Sequence, residues 1–229
     1  ISLHHDLVAK TYVHSAYRAF KIVDPKPRQI HKASVRDRLL HHAIYRVLYP
    51  FFDRTFISDS YSCRLGKGTH KALNRFRSFG NQVSQNSTRT CWVLKCDIKR
   101  FFENIDHSVL YAILKTYIPD PKVLWLLEEV VRSFYSTRFG IGLPLGNLTS
   151  QLLVNVYLNE FDQFVKHKLK IKYYLRYADD FVLLSDSQGW LVDQIASIQN
   201  FLEARSKLHV PPGKISLRTL ASGVGFLGW

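Results

Sequence analysis

Three carboxylates in this 229-residue chain sit where catalysis explains them better than solubility does. Asp179 and Asp180 are adjacent inside "YYLRYADDFVLLS", an otherwise apolar and aromatic run from Tyr173 to Ser185, and Asp97 closes the other conspicuous apolar stretch, "CWVLKCDI". In a continuous strand Tyr177, Asp179 and Phe181 would share one face and Ala178, Asp180 and Val182 the other. Adjacent aspartates also suit a bend, and a tight hairpin with apolar arms would hold its acidic tip rigidly at a surface. If the two apolar runs are neighbouring strands, Asp97 and Asp179 converge on one edge of a sheet. Converging carboxylates repel unless a cation lies between them. Two Mg²⁺ ions about 4 Å apart, with Mn²⁺ as a substitute, would satisfy that charge, activate an attacking hydroxyl and stabilise a leaving pyrophosphate. The competing reading is a solvated turn whose acids pair with Arg176 or Lys99.

The elements that must carry these residues can be read from periodicity and punctuation. Apolar residues at three and four apart from Val35 to Leu48 predict an amphipathic helix that Pro50 ends. A second helix is expected from Gly68 through Leu73 toward Phe76, and the polar "GNQVSQNSTR" from Gly80 reads as a loop. After Asp106, an N-cap by type, a helix should run to Tyr117; another follows the "PDP" break, from Val123 to Phe134. "FGIGLPLGN" cannot be regular helix, but Thr149 or Ser150 can cap the helix that carries Leu152, Leu153, Val156, Tyr157, Phe161 and Val165. A polar turn at Ser187–Gly189, a helix from Leu191 to Leu208, the "PPGK" turn and two short strands ending in "GFLGW" complete the chain. Near the start, a turn at Asp24-Pro25 precedes a short basic strand from Lys26 to Ile30. The order is mixed helix and strand with few strands, an α+β plan.

Composition narrows the partners. Lys and Arg number 32 against 18 Asp and Glu, a formal charge of +14 spread along the whole length. A folded body with that excess attracts a polyanion, nucleic acid first. Cys63, Cys91 and Cys96 form no CxxC pair, and the histidine pairs at 4–5 and 41–42 lack partners at metal-ligand spacing, so neither a disulfide framework nor a zinc site is signalled. No stretch approaches the ~20 apolar residues of a membrane span and no signal peptide opens the chain, so the default compartment is cytoplasmic. The absence of methionine and the start at Ile1 suggest a piece of a longer polypeptide.

Taken together, the motifs resemble those of reverse transcriptases. "YADD" is similar to their Y-x-D-D signature, "LKCDIKRFFENIDH" to the strand with their first catalytic aspartate, and "GLPLGNLTSQLLVNVYLNEFD" to the conserved motif between them in bacterial retroelement enzymes. "KPRQI" and "RDRLLHHAIYRVL" resemble two fingers motifs, "SYSCRLGKGTHKAL" a third, and "GVGFLGW" the strand after the palm helices. A lone "YADD" would say little; seven motifs in the family's order say much. Within the group II intron-like retroelement lineage, "LPLGNLTSQ" looks most like diversity-generating retroelement enzymes, with Leu145 where intron maturases have glutamine and Gln151 where they have proline.

The resemblance implies an RNA-directed DNA polymerase with right-hand fingers at 1–90 and palm at 91–229, helical segments 108–140 at their boundary, and a thumb absent from this chain. It implies Asp97 and Asp179 as metal ligands, with the backbone carbonyl of Ile98, and Asp180 as a neighbouring carboxylate. Phe102 would stack under the incoming sugar and exclude a 2′-hydroxyl, although by type alone it reads as core. Lys26 and Arg28 would meet the triphosphate. Gly142, Pro144, Gly146 and Asn147 would bring backbone close to the nucleotide, with Gln151 the polar side chain beside it. Lys214 would stand near the pyrophosphate as a general acid. Arg36, Arg38, Arg64, Lys67, His70 and Lys71 would contact a template backbone by charge and shape. The expected partners are an RNA template, a DNA primer or RNA–DNA hybrid, dNTP, and a small basic accessory protein. Competing functions are a maturase-like module that only binds structured RNA, and an antiviral reverse transcriptase with unconventional templating.

Overall fold

The computed structural model describes residues 2–23 and 27–228. The expected Asp24-Pro25 turn, Lys26 and Trp229 lie outside the described residues. In chain order the elements are α1 (Ser2–Val8), β1 (Arg18–Val23), β2 (Pro27–Lys32), α2 (Val35–Asp53), α3 (Thr69–Val83), β3 (Trp92–Asp97), α4 (His107–Tyr117), α5 (Pro121–Arg132), α6 (Leu148–Gln163), β4 (Tyr174–Tyr177), β5 (Asp180–Ser185), α7 (Gln188–Ser206) and β6 (Ile215–Thr219). The class is α+β. Two compact units are formed, one from residues 1–54 and 102–157 and the other from 55–101 and 158–229.

In the first unit β1 and β2 form an antiparallel pair in the register Arg18↔Lys32 to Val23↔Pro27. Ser34 caps α2 by accepting from the Asp37 N–H. Pro50 lies inside α2 and does not end it: only a last-turn hydrogen bond is lost, and fully buried Phe52 anchors the turn beyond it. Asp106 caps α4 as expected, accepting from the Val109 N–H at 3.0 Å. Asp120 caps α5, whose first residue is Pro121, so α5 starts two residues before the expected Val123. Neither Thr149 nor Ser150 is a cap. The helix begins at Leu148, and Asn147 precedes it, its carbonyl accepting from the Gln151 N–H at 3.2 Å.

The second unit is built on a four-stranded antiparallel sheet in the order β4-β5-β3-β6. β5 is covered on both faces, since Phe181, Val182, Leu183 and Leu184 are all at most 1% exposed. Val182 and Leu184 join Ala72, Phe79 and Val83 of α3 with Phe226 in one cluster. Phe181 meets Phe161 at a ring separation of 5.1 Å on the other side. The strand core therefore reads as a nearly continuous apolar run rather than an alternation.

α3 extends to Val83, through the first residues of the expected loop, because Gly80 and Val83 are buried on its inner face. A Cβ at Gly80 would come within 2.6 Å of Leu220, so the residue that looks like a breaker permits close packing. α7 starts at Gln188, capped by Ser187 through the Trp190 N–H. Of the two short strands expected at the end, only β6 forms among the described residues; Leu220–Ser222 makes a 3₁₀ turn instead. No helix among the described residues is long and apolar enough to cross a membrane.

Candidate active site

β4 and β5 are joined by the two-residue turn Ala178-Asp179, with Tyr177 opposite Asp180. Ala178 takes a φ of 54°, a left-handed value that two-residue hairpin loops demand and glycine usually supplies. β3 lies beside β5 with Asp97 opposite Asp180. One residue further, the Ile98 N–H donates to the Asp179 carbonyl at 3.1 Å. Asp97, Asp179 and Asp180 are thereby gathered at one end of the sheet. The alternation written for a continuous strand does not apply, because Asp179 is in the turn and only Asp180 belongs to a strand.

The electrostatics follow from that placement. Burial pushes the Asp179 carboxyl up to about 6; its own N–H works against this, Asp97 and Asp180 add to it, and Lys214 opposes it. Lys214 Nζ lies 2.9 Å from Asp97 Oδ1, and that hydrogen bond holds the lysine above its ordinary range. Lys95 Nζ stands 3.8 Å from Asp180 Oδ1. Crowded carboxylate oxygens are the donor set of a hard divalent cation, and the destabilised charge on Asp179 is one such a cation would relieve. Among the described residues, however, no three His, Cys, Asp or Glu side chains are already drawn together as a metal cage. Here the positive charge at Asp97 comes from Lys214.

The remaining expected residues divide between the units. Phe102 is half-buried in the first, while its neighbour Phe101 is 2% exposed in the second, so Phe101 is the core ring. The Phe102 carbonyl accepts from Leu143 N–H at 2.8 Å. Gly142 and Gly146 have φ of 104° and 103°, and a Cβ on them would meet Ser136 and Ile30 at 2.7 Å each; glycine is required at both. Asn147 is 4% exposed, and its amide donates to the His31 carbonyl at 2.8 Å, so this side chain holds β2 rather than reaching for a nucleotide. Gln151 is half-buried and Arg28 exposed.

The basic residues assigned to template also do internal work. Arg36 pairs with Asp6 at 2.5 Å and donates to the Val13 carbonyl, in the first unit, where Arg38 is exposed. In the second, Arg64 donates to the Ile57 and Ser60 carbonyls, Lys67 to Ser58 and Lys71 to Gly66, stitching their own loop; His70 is exposed. Arg36 and Arg64 thus hold parts of the fold as well as carrying charge.

Sequence reasoning missed Arg176 as a structural group. It is 0% exposed and paired with Asp162 at 2.7 Å, which removes it as the surface partner of the hairpin acids. Its only signal was an arginine in an apolar strand, with an acid on the apolar face of "YLNEFD". Also missed was Asp37, fully buried between Arg36 and Arg38.

A small antiparallel sheet with an acidic hairpin at its edge, backed by helices, defines the fingers-and-palm fold of a right-hand polymerase. Apo telomerase from Candida tropicalis has this fold, with a TM-score of 0.67 over 99% of this chain and 51% of that one at 10% identity. By sequence, residues 23–229 match the reverse transcriptase (RNA-dependent DNA polymerase) family, and the chain belongs to it. Protein YkfC of Escherichia coli is 26% identical over 89% of this chain and 62% of its own length. The group II intron-encoded protein LtrA of Lactococcus lactis is 30% identical over 65% of this chain and 24% of its own. The chain thus spans less than two thirds of these relatives. The intron-encoded relative agrees with the group II intron-like lineage, and the narrower diversity-generating assignment still rests on Leu145 and Gln151.

Proposed function

We propose that this chain carries the catalytic core, fingers at 1–90 and palm at 91–229, of an RNA-directed DNA polymerase that adds deoxynucleotides to a primer 3′-end. The observation that carries the proposal is the register of the palm sheet: Asp97 opposite Asp180 with Asp179 at the adjoining turn, in a chain of this family. Asp97, Asp179 and the Ile98 carbonyl would hold two Mg²⁺ ions, or Mn²⁺, with Asp180 beside them. When bound, the ions supply Lewis-acid activation of the primer hydroxyl and neutralise charge on the triphosphate.

The chain's own groups do the rest. Lys214, already protonated beside Asp97, holds a proton at Nζ where pyrophosphate departs. Phe102 excludes a ribose 2′-hydroxyl. Gly146 lets backbone approach the base pair and Gln151 offers it an amide, and Arg28 is the described basic residue assigned to the phosphates. Leu145 cannot supply the hydrogen bond of a glutamine, which loosens the grip on the templating pair and raises misincorporation. RNA template, primer and dNTP are the ligands of this reading, and a small basic accessory protein accompanies its diversity-generating form.

The test is primer extension on matched RNA and DNA templates with Mg²⁺, comparing the parent chain with Asp179→Ala. Extension on RNA that falls about 10³-fold in the variant supports the proposal. Intact RNA affinity with no extension by the parent chain would leave a structured-RNA-binding module instead.

A further inference from the structure

The turn that presents Asp179 is tied to the core by a buried arginine. Arg176, in β4, is fully buried, and its guanidinium works in three directions. Nε donates to both Asp162 oxygens at 2.8 and 3.1 Å and Nη2 to Asp162 Oδ2 at 2.7 Å. Nη2 also reaches Ser60 Oγ at 3.2 Å, and Nη1 donates to the Ala178 carbonyl at 3.0 Å. Asp162 accepts a further bond from the Tyr174 hydroxyl at 2.6 Å. The backbone of Arg176 is bracketed as well: its N–H donates to Asp59 and its carbonyl accepts from Tyr61 N–H, at 2.9 and 3.0 Å. Asp59 in turn takes Arg75 Nε at 2.8 Å.

A buried ion pair is a poor source of net stability, because desolvating both charges offsets much of their attraction. What a planar fork adds is direction. Its third arm grips the carbonyl of a residue whose φ of 54° needs the surroundings to over-determine it. The peptide bond is planar, so holding the Ala178 carbonyl also fixes the orientation of the Asp179 N–H in the same plane, and with it the start of the residue that bears the carboxylate. On the far side of the turn, the Asp179 carbonyl receives Ile98 N–H.

We propose that Arg176 is a positioning residue whose guanidinium locks the Ala178–Asp179 peptide plane to Asp162 of α6, and so aims the Asp179 carboxylate. The proposal rests on the polymerase reading of Asp179, and its test separates the two. In the full chain, Asp162→Leu with Arg176→Met removes both buried charges together and keeps the volume apolar; Arg176→Lys keeps a charge but loses the fork. Circular dichroism and thermal unfolding report the fold, amide exchange at Ile98 the order of the turn, and primer extension kcat against KM for dNTP.

The expected result is a folded double variant with Ile98 exchange about tenfold faster, one lost hydrogen bond's worth. In it kcat should fall about 100-fold, as a misplaced catalytic group implies, with KM for dNTP within about twofold. Arg176→Lys should fall between the two, and it decides the matter by the same readouts if the double variant does not fold. Wild-type Ile98 exchange and kcat in a folded variant would overturn the proposal. A parent chain that extends no primer sinks the polymerase reading alone, and the exchange comparison then decides the clamp.

Discussion

Asp37 and Asp179 belong to different units, and the contrast between them separates an acid that builds structure from one poised for chemistry. Asp37 is fully buried yet surrounded by donors: the Tyr12 hydroxyl at 2.8 Å, Ser15 N–H at 3.1 Å and the Ser34 hydroxyl at 2.6 Å. Burial pushes its carboxyl up, but the bonds from Ser34, Tyr12 and Ser15 and the charge of His14 outweigh that and hold it below the ordinary value. For Asp179 burial wins: it pushes the carboxyl up to about 6, with the like charges of Asp97 and Asp180 adding to it and its own N–H and Lys214 too weak to offset it. A buried acid satisfied by donors is a fastener; one whose charge burial and like-charged neighbours destabilise is the kind of group the proposed metal site calls for.

The same substitution at both positions gives the sharpest break. Asp179→Asn should lower primer extension about 10³-fold while leaving metal-free stability equal or up to ~1 kcal/mol higher, since a desolvated charge with like-charged neighbours is removed from a partly exposed site. Activity assay and urea unfolding on one preparation check both halves. Asp37→Asn should cost about 3 kcal/mol in urea unfolding, because the amide cannot accept at both oxygens and buried donors are left over. Equal stability losses at the two sites would erase the distinction.

A pH series sharpens the comparison next. Burial, and then the charge of His14, hold His41 down to about 4, against the pull of Asp37. Between the unfolded value near 6.5 and about 4 the unfolded chain binds a proton that the folded one refuses. Stability is therefore full above that window and falls as pH drops through it, by about 2 to 3 kcal/mol. His31 and His107, also lowered by burial, add to the slope. Asp37, held below its usual value, contributes its own loss only at lower pH. Thermal unfolding from pH 7 to 4 should show the decline, and His41→Gln should flatten it. The smallest effect is at Leu145, where Leu145→Gln should lower misincorporation by a few-fold in sequenced extension products; unchanged error rates would remove Leu145 from the fidelity argument.

How much was legible beforehand depends on whether a residue's role is local. The cap Asp106, the polar turn at Ser187, the strand around "CWVLKCD" and the bend at Asp179 were readable, because each is decided by residues within a few positions. The pair β1 and β2 was only half legible: β1 is exposed along its whole length, so no burial pattern marks it. Pro50 and Gly80 misled for one reason. Both are breakers by intrinsic propensity, and both are overruled by packing, of Phe52 in one case and Leu220 in the other. The residues assigned to template were read from charge alone, which could not show that Arg64, Lys67 and Lys71 also donate to carbonyls of their own loop.

Residue types and their order along the chain determined the family, the α+β class and the three aspartates, because apolar runs, turns and charge are written locally. Only tertiary structure decided that Asp97 lies opposite Asp180, that Lys214 reaches Asp97, and that Arg176 belongs to Asp162 rather than to the hairpin acids. Those are contacts between residues 14 to 117 positions apart in sequence. A long side chain takes its partner from the groups that folding brings beside it, and that choice exists only once the sheet and helices have packed.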